Sequence, residues 1–270
     1  MQLGAHKIQT ENQPLTWLIN AEGQLETDFA IQEIVSIKGP IRPPWYEWLV
    51  RPRGIHTEEL VNAVQSMDWM VEFDLAVIKS ACQWLELQNS NGRTCRLSVN
   101  IFADSISDPT FVHRVISVLA ASDVHAEQLC FEIIEHTPVQ DLQAAIHFCK
   151  SIRRMGSQIA LDDIGSGHVH VGLLAPESLV DFLKIDRSAV LAAKQSNRKF
   201  KAVQTVIDFA ESVNVPVVLE GIETQEDLNL IERFGAEFYQ GYLQGKPQLV
   251  DWGVSEDRKH VAFALRELIA

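Results

Sequence analysis

Residues 129–163, LCFEIIEHTPVQDLQAAIHFCKSIRRMGSQIALDD, contain the unit from which the fold is built. Apolar runs at Leu129–Ile134 and Gln158–Asp162 predict two strands, and the helical spacing of Val139–Met155 predicts a helix between them. Gly156 follows that helix, at the position where a glycine commonly ends one. A strand, a helix and a second strand in this order predict a parallel pair, because parallel strands need a long crossover connection.

The same alternation of strands and helices runs along most of the chain. Further strands are predicted at Ile31–Ile37, Tyr46–Val50, Cys95–Ile101, Phe182–Ile185, Val215–Glu220 and Phe238–Leu243. Further helices are predicted at Glu58–Leu87, Pro109–Ala121, Arg198–Val213 and Thr224–Phe234. About eight strands in a chain of this length favour an α/β fold of the TIM-like (β/α)8 barrel type. The connection Gly39–Pro44 is too short for a parallel crossover, so one strand near the N-terminus is expected to run antiparallel.

No internal repeat, low-complexity run or linker divides the 270 residues, so one large domain is expected. We expect a lead-in segment at 1–29, with a hairpin around Ala21–Gly23, the barrel at 30–250, and a C-terminal helix at 251–270 packed on the barrel. The cysteines lack CxxC spacing and are expected to be buried free thiols rather than disulfide or zinc partners. They are Cys82, Cys95, Cys130 and Cys149.

The net charge of −13 excludes a general DNA- or RNA-binding surface, which needs a basic field. No apolar stretch approaches the roughly 20 residues of a membrane span, and the first residues lack the pattern of a signal peptide. We therefore expect a cytoplasmic protein that does not insert into membranes.

Polar side chains interrupt or end most of the predicted strands. They are Glu47, Asn100, Glu132, Glu135, Asp162, Asp163, Lys184, Asp186, Glu220, Glu223 and Gln240. Any one of them alone is at least as readily a solvated strand end or a helix cap. Their recurrence on successive strands favours a site at the C-terminal rim, where barrel enzymes place their chemistry.

Carboxylates that face one another across a barrel mouth repel unless cations neutralise them. Glu, Asp and Asn oxygens suit Mg²⁺ or Mn²⁺ rather than zinc. The adjacent Asp162 and Asp163 point to a bridged pair of ions, a recurring device for in-line attack on phosphodiesters. The residues alone thus predict a metal-dependent hydrolase of a phosphoester.

Eight short motifs in order resemble those of the EAL-domain family of cyclic di-GMP phosphodiesterases, over Gln32 to Pro247. They are QEIV (32–35), EWLVR (47–51), SVN (98–100), EIIE (132–135), LDDIGSG (161–167), LKID (183–186), EGIET (220–224) and QGYLQGKP (240–247). The family's corresponding motifs are QPIV, EALLR, SVN, EITE, LDDFGTG, LKID, EGVET and QGYLFGRP. The resemblance implies hydrolysis of cyclic di-GMP to linear pGpG with two Mg²⁺ or Mn²⁺ ions.

The resemblance also implies a role for each matching residue. The metal ligands would be Glu47, Asn100, Glu132, Asp162, Asp163 and Glu220, with Asp162 bridging the two ions. The catalytic groups would be Glu47, Lys184, Glu220 and Gln240. The substrate would be bound by Gln32, Leu49, Arg51, Asp186 and Gly241. Glu135 and Glu223 would support the loop after Asp163. A homodimer and a regulatory protein partner are further expectations.

Three departures from the family pattern leave a second reading open. Trp48 replaces the family's alanine, and it either stacks on a guanine or packs behind its strand. Packing is favoured, because alternate strand residues face opposite sides. HVHVGLL (168–174) replaces a Tyr-Ser-Ser-Leu-like stretch; its residues His168 and His170 are expected to be solvated rather than ligands. The segment Arg53–Gln65 lacks the family's FIPLAE pattern.

The second reading is a catalytically silent cyclic di-GMP receptor or a protein-interaction module. None of the three departures changes a proposed metal ligand. The active phosphodiesterase is therefore the favoured interpretation.

Overall fold

The strands form one sheet that closes into a barrel. The computed structural model describes residues 27–134, 139–164, 173 and 179–252. Within these ranges, β2 to β8 are parallel neighbours in chain order, and β1 closes the barrel between β8 and β2. The strands are β1 (Thr27–Ser36), β2 (Trp45–Pro52), β3 (Arg96–Phe102), β4 (Leu129–Ile134), β5 (Gln158–Ile164), β6 (Phe182–Ile185), β7 (Val217–Leu219), β8 (Phe238–Tyr239) and β9 (Gln248–Leu249). The predicted TIM-like barrel is confirmed.

The expected antiparallel strand is β1, which runs opposite to both β2 and β8. Its pairing with β2 extends from Thr27 opposite Pro52 to Ile34 opposite Trp45. The sequence did not predict β9, which pairs with Ala30 and Ile31 of β1 and fills the edge that the short β8 leaves open. β1 is thus covered along both edges.

Helices lie between most of the parallel strands, and all but those at Ala103–Ser107 and Arg187–Gln195, which were not predicted, lie close to where the sequence places them. They are α1 (Thr57–Ser66), α2 (Met70–Ser90), α3 (Ala103–Ser107), α4 (Phe111–Ala120), α5 (Leu142–Arg154), α6 (Arg187–Gln195), α7 (Asn197–Ser212) and α8 (Gln225–Phe234). The predicted helix Glu58–Leu87 is two helices, because Asp68 adopts a left-handed φ of 57° that an α-helix cannot contain. Gly156 takes its predicted place after α5, with a φ of 103°.

The core has two layers, one inside the barrel and one between the strands and the helices. The inner layer, here called the floor, consists of the buried residues Ile34, Trp45, Cys130, Ala160, Phe182 and Val218. All four cysteines are buried free thiols, as predicted. Trp48 lies in the outer layer with 1% of its surface exposed, which confirms the packing interpretation.

None of the helices in the described ranges has the length and apolar character needed to cross a membrane. The expected hairpin at Ala21–Gly23 and the expected C-terminal helix lie essentially outside the described residues. They stay predictions, as do the domain boundaries.

Candidate active site

The functional side chains lie one layer above the floor, toward the C-terminal ends of the parallel strands. Successive strand residues face opposite sides, so a residue two positions beyond a floor residue also faces inward. Glu47, Glu132, Asp162, Lys184 and Glu220 each lie two positions beyond one of the floor residues on the parallel strands. In the antiparallel β1 the order is reversed, and Gln32 lies two positions before Ile34. The floor therefore fixes which side chains enter the site.

Lys184 is the centre of the site. Its Nζ lies 2.6 Å from Glu132, 2.7 Å from Glu220, 3.4 Å from Asp162 and 3.6 Å from Glu47, and only 1% of the side chain is exposed. Burial by itself would lower the pKa of this ammonium, but Asp162, Glu132 and Glu220 raise it well above its ordinary value. Lys184 is thus a fixed positive charge.

Glu47 is the carboxylate held most completely by neighbours. Asn100 Nδ2 donates to its Oε1 at 2.7 Å, and Gln240 Nε2 donates to its Oε2 at 2.8 Å. Burial would raise the pKa of Glu47, but Lys184, these two hydrogen bonds and the charge of Arg51 bring it below its ordinary value. Glu47 is therefore ionised at neutral pH, and both of its oxygens are fixed in direction.

The remaining carboxyl groups have too little positive charge nearby to offset the effect of their burial. Burial raises the pKa of Glu132 to about 8 and that of Asp162 to about 6, and neighbouring carboxylates add to the effect. Burial likewise raises the pKa of Glu220 well above its ordinary value, although Lys184 opposes the shift. Together with Glu47 and Asp163, these groups make five carboxyls around one ammonium in the described residues. Two divalent cations would neutralise the excess negative charge.

Asp162 and Asp163 both serve the site because β5 is irregular there. The pairing of β5 with β6 shifts register between Leu161 and Ile164, and Asp163 takes a φ of 58°. Asp tolerates this left-handed conformation better than most residues. One oxygen from each of Asp162, Asp163 and Glu220 lies within 4.8 Å of the other two, and the same is true of Glu47, Glu132 and Asp162. Asp162 thus belongs to two adjacent groups of acidic side chains, each of which could hold a metal ion.

Two buried oxygens in this site have no hydrogen-bond donor among the described residues, namely Asn100 Oδ1 and Glu132 Oε1. A buried acceptor without a partner is costly, so such atoms need a donor or a cation. Both belong to the predicted ligand set, and both are hard oxygen donors. The set therefore fits a divalent cation; its identity is a separate question.

The mouth above these ligands is a cavity of about 240 Å³, lined in part by Gln32, Glu220 and Gln240. Gln32 donates to Gly245 O at 3.0 Å and accepts from Gln240 at 3.3 Å. Sequence reasoning missed three other lining residues, Arg187, Gly221 and Tyr242. The only available signal for Arg187 was its position directly after the LKID motif.

The other predicted residues have more varied contacts, and of these Gly241 and Glu223 line the cavity. Leu49 and Arg51 follow Glu47 on the same side of β2, and the side chain of Asp186 accepts from Ser188 N at the start of α6. Gly241 lies so close to Ile222 that a Cβ atom would come within 2.1 Å of its carbonyl oxygen. Glu223 pairs with Arg187 at 2.8 Å. Glu135, His168 and His170 lie outside the described residues.

Comparison with known proteins places the same residues in a family. The family model described as EAL domain matches residues 47–247. Cyclic di-GMP phosphodiesterase PdeB of Shewanella oneidensis is 28% identical over 190 residues, which are 70% of this chain and 22% of PdeB. Cyclic di-GMP phosphodiesterase PdeF of Escherichia coli K12 is 27% identical over 227 residues, which are 82% of this chain and 30% of PdeF. The chain thus spans less than a third of the length of either relative.

A solved structure of the EAL enzyme Bd1971, in a form bound to cAMP and cyclic di-GMP, aligns with a TM-score of 0.73. Its sequence identity is 25%, and the alignment covers 84% of this chain and 63% of that one. The barrel fold is therefore shared with a solved EAL enzyme.

Proposed function

The chain belongs to the EAL domain family, and from that premise we propose that it hydrolyses cyclic di-GMP to linear pGpG in a reaction that depends on divalent metal ions. The single observation that carries this proposal is the pair of adjacent acidic groups that share Asp162. The substrate is proposed from the names of PdeB and PdeF and from the cyclic di-GMP-bound form of Bd1971.

Two Mg²⁺ or Mn²⁺ ions are proposed as the cofactors. The residues that would hold them are Glu47, Asn100, Glu132, Asp162, Asp163 and Glu220. Bound there, such ions would acidify a water molecule and neutralise charge on the phosphate. The buried Asn100 Oδ1 and Glu132 Oε1, which lack donors among the described residues, support this ligand set.

The protein's own groups would position and stabilise the reacting atoms. Lys184 is held between Glu132 and Glu220, so its ammonium is fixed where negative charge would build on the phosphate. Gln240 and Asn100 keep Glu47 in one orientation. The apolar floor excludes water from below, which strengthens each of these interactions.

Glu220 is proposed as the group that accepts a proton from the attacking water. Its side chain is 19% exposed, more than those of Glu47, Glu132 and Asp162, and it lines the mouth. Burial raises the pKa of Glu220 well above its ordinary value, although Lys184 opposes the shift, so this carboxylate binds a proton more strongly than a solvated one does. Gln32, Leu49, Arg51, Asp186 and Gly241 are proposed to bind the substrate around this centre.

The test is to incubate the protein with cyclic di-GMP and Mg²⁺ or Mn²⁺, with and without a chelator, and to separate the products by chromatography. Appearance of pGpG that the chelator abolishes is the expected result. Intact substrate at every metal and protein concentration would contradict the proposal. Calorimetric binding of the nucleotide without turnover would instead support a receptor.

A homodimer, a regulatory protein partner and a cytoplasmic location complete the proposal. Light scattering coupled to size-exclusion chromatography measures the first of these directly. A molar mass of 30.4 kDa, that of one chain, at all concentrations would contradict the dimer.

A further inference from the structure

Arg187 is the first residue of α6 and lies against the backbone of the next strand end. A Cβ atom on Gly221 would come within 2.2 Å of Arg187 Cγ and 2.6 Å of its Cδ. Gly221 has a φ of 67°, so the site needs glycine both for its conformation and for the approach of Arg187. The aliphatic part of Arg187 thus packs directly on the residue that follows Glu220.

The guanidinium of Arg187 binds the same loop a second time. Its Nη2 lies 2.8 Å from Glu223 Oε1, two residues beyond Gly221. The β7–α8 loop (Glu220–Thr224) is therefore held by Arg187 through packing at one point and an ion pair at another. The arginine side chain is 52% exposed, and an ion pair this exposed adds little to global stability.

Lys184 and Arg187 lie on the same short segment, at the junction of β6 and α6. Lys184 binds Glu220 at 2.7 Å, while Arg187 binds Glu223 at 2.8 Å. Two parallel contacts thus set the β7–α8 loop against the junction that carries the central ammonium. Glu220 N also donates to Ile185 O at 3.0 Å, so loss of the outer contact would chiefly remove the restraint on the segment Gly221–Glu223 that follows Glu220.

The position of the β7–α8 loop also affects the position of Gln240. Ile222 N donates to Gln240 O at 3.1 Å, and Leu243 N donates to Ile222 O at 2.9 Å. Only glycine fits at position 241, because a Cβ atom there would clash with the backbone of Ile222. A shift of this loop would therefore move Gln240, whose side chain orients Glu47.

We propose that Arg187 is a positioning residue, which packs on Gly221 and pairs with Glu223 to fix Glu220 relative to Lys184. The expected effect of Arg187 on kcat rests on the proposed function, whereas its expected effect on the β7–α8 loop does not. Arg187 acts through the loop, and it is not assigned a contact with substrate or metal.

Hydrogen–deuterium exchange of the whole chain, without nucleotide or metal, tests the structural part. Arg187→Met keeps most of the aliphatic stem and removes the charge. The amides of Ile222, Glu223 and Thr224 are expected to exchange severalfold faster than in the wild type, with strands β3 and β4 unchanged. Wild-type exchange at these three amides would overturn the proposal.

Arg153→Met is the matched control. Arg153 Nη2 lies 2.9 Å from Asp181 Oδ1, the arginine side chain is 37% exposed, and the pair lies away from the mouth. It should leave the exchange of the β7–α8 loop unchanged. An equal acceleration in this control would also overturn the proposal, since the effect would then be general. Arg187→Lys keeps the stem and the charge and should exchange close to the wild type.

Steady-state kinetics test the catalytic part. Arg187→Met is expected to lower kcat by about tenfold to a hundredfold with KM nearly unchanged, because a small misplacement of reacting groups is enough for such a loss. A raised KM with wild-type kcat would overturn the proposal, because Arg187 would then bind substrate directly. If the wild type itself does not hydrolyse the nucleotide, the proposed function fails, while the exchange experiment still decides the role of Arg187.

Discussion

Replacing Trp48 by alanine would test whether packing on the outside of the barrel contributes to stability without contributing to the chemistry inside it. The indole is 1% exposed and stacks on Phe29 with ring centroids 4.9 Å apart. Trp84 and Trp252 approach the same ring at 5.6 and 6.1 Å, and Trp48 Nε1 donates to Ser80 Oγ at 3.1 Å. The substitution would therefore empty the centre of an aromatic cluster on the outside of β2.

The expected loss is large. Truncation of a buried tryptophan to alanine removes about 3–5 kcal/mol of unfolding free energy. Ser80 keeps a partner, because its hydroxyl also donates to Val77 O, so the lost hydrogen bond adds little. For a chain of this size, each kcal/mol corresponds to about 2–4 °C, which predicts a fall in Tm of about 6–20 °C. The variant should still fold at low temperature, since domains are typically stable by about 5–15 kcal/mol.

The assay has two parts, thermal unfolding followed by circular dichroism and activity at a temperature where the variant is folded. Trp48→Ala should keep the wild-type kcat and KM per folded molecule, because β2 directs Trp48 outward and Glu47 inward. Trp48→Phe is the control, and it should recover much of the stability. A Tm within about 2 °C of wild type would refute the packing argument. A raised KM with unchanged Tm would show instead that the indole stacks on the nucleotide.

Other predictions concern the ligands and one buried acid. Glu47→Ala should abolish metal-dependent hydrolysis and keep the wild-type circular dichroism spectrum; equal turnover would show that the metal assignment is wrong. Because the pKa of Glu132 is raised to about 8, a cation must displace its proton below that pH. The Kd for Mn²⁺ measured by calorimetry should therefore rise as pH falls from 8 to 6, by up to about tenfold per unit, and a constant Kd would contradict the shift. Burial also raises the pKa of Asp74 to about 8, against about 3.9 in the unfolded chain. The folded form then holds the extra proton, so this group's contribution to stability falls as pH rises from about 4 to 8. Asp74→Asn should remove that dependence, and urea midpoints at pH 5 and 8 that change as much as in the wild type would refute it.

The barrel was predictable because strand and helix periods differ so clearly in this chain. Apolar runs such as Leu129–Ile134 have the length of buried strands, and the connections between most of them have the length of helices. Boundaries were harder, since they depend on single residues. Asp68 divides one predicted helix by adopting a positive φ, while Trp69 N donates back to Val64 O and ends the first helix. The short β9 pairs with the part of β1 that β8 leaves uncovered, and such a tertiary pairing is not visible in the local sequence pattern.

The positions of the acids at the strand ends were predictable from the sequence, but the geometry of their cluster was not. Strand alternation would send Asp162 and Asp163 to opposite faces of β5. Only the register shift and the φ of 58° bring Asp163 into the group with Glu220. Arg187 was missed for a similar reason, because its contact with Gly221 joins the start of α6 to a loop that is far away in sequence.

The floor and the acidic layer above it depend on each other. Apolar side chains such as Trp45 and Phe182 keep water from reaching the carboxyls from below, so burial raises the pKa values of Glu132 and Glu220. Lys184 alone cannot reverse this, since it is one charge shared among four acids. Without bound cations, part of the acidic layer must therefore hold protons. Divalent ions would replace those protons and bind the same oxygens, so Mn²⁺ at 100 times its Kd should stabilise the fold by about 2.7 kcal/mol for each ion bound. A Tm that does not respond to Mn²⁺ would mean that the acidic layer is satisfied by protons alone, and the proposed ligand set would then be wrong.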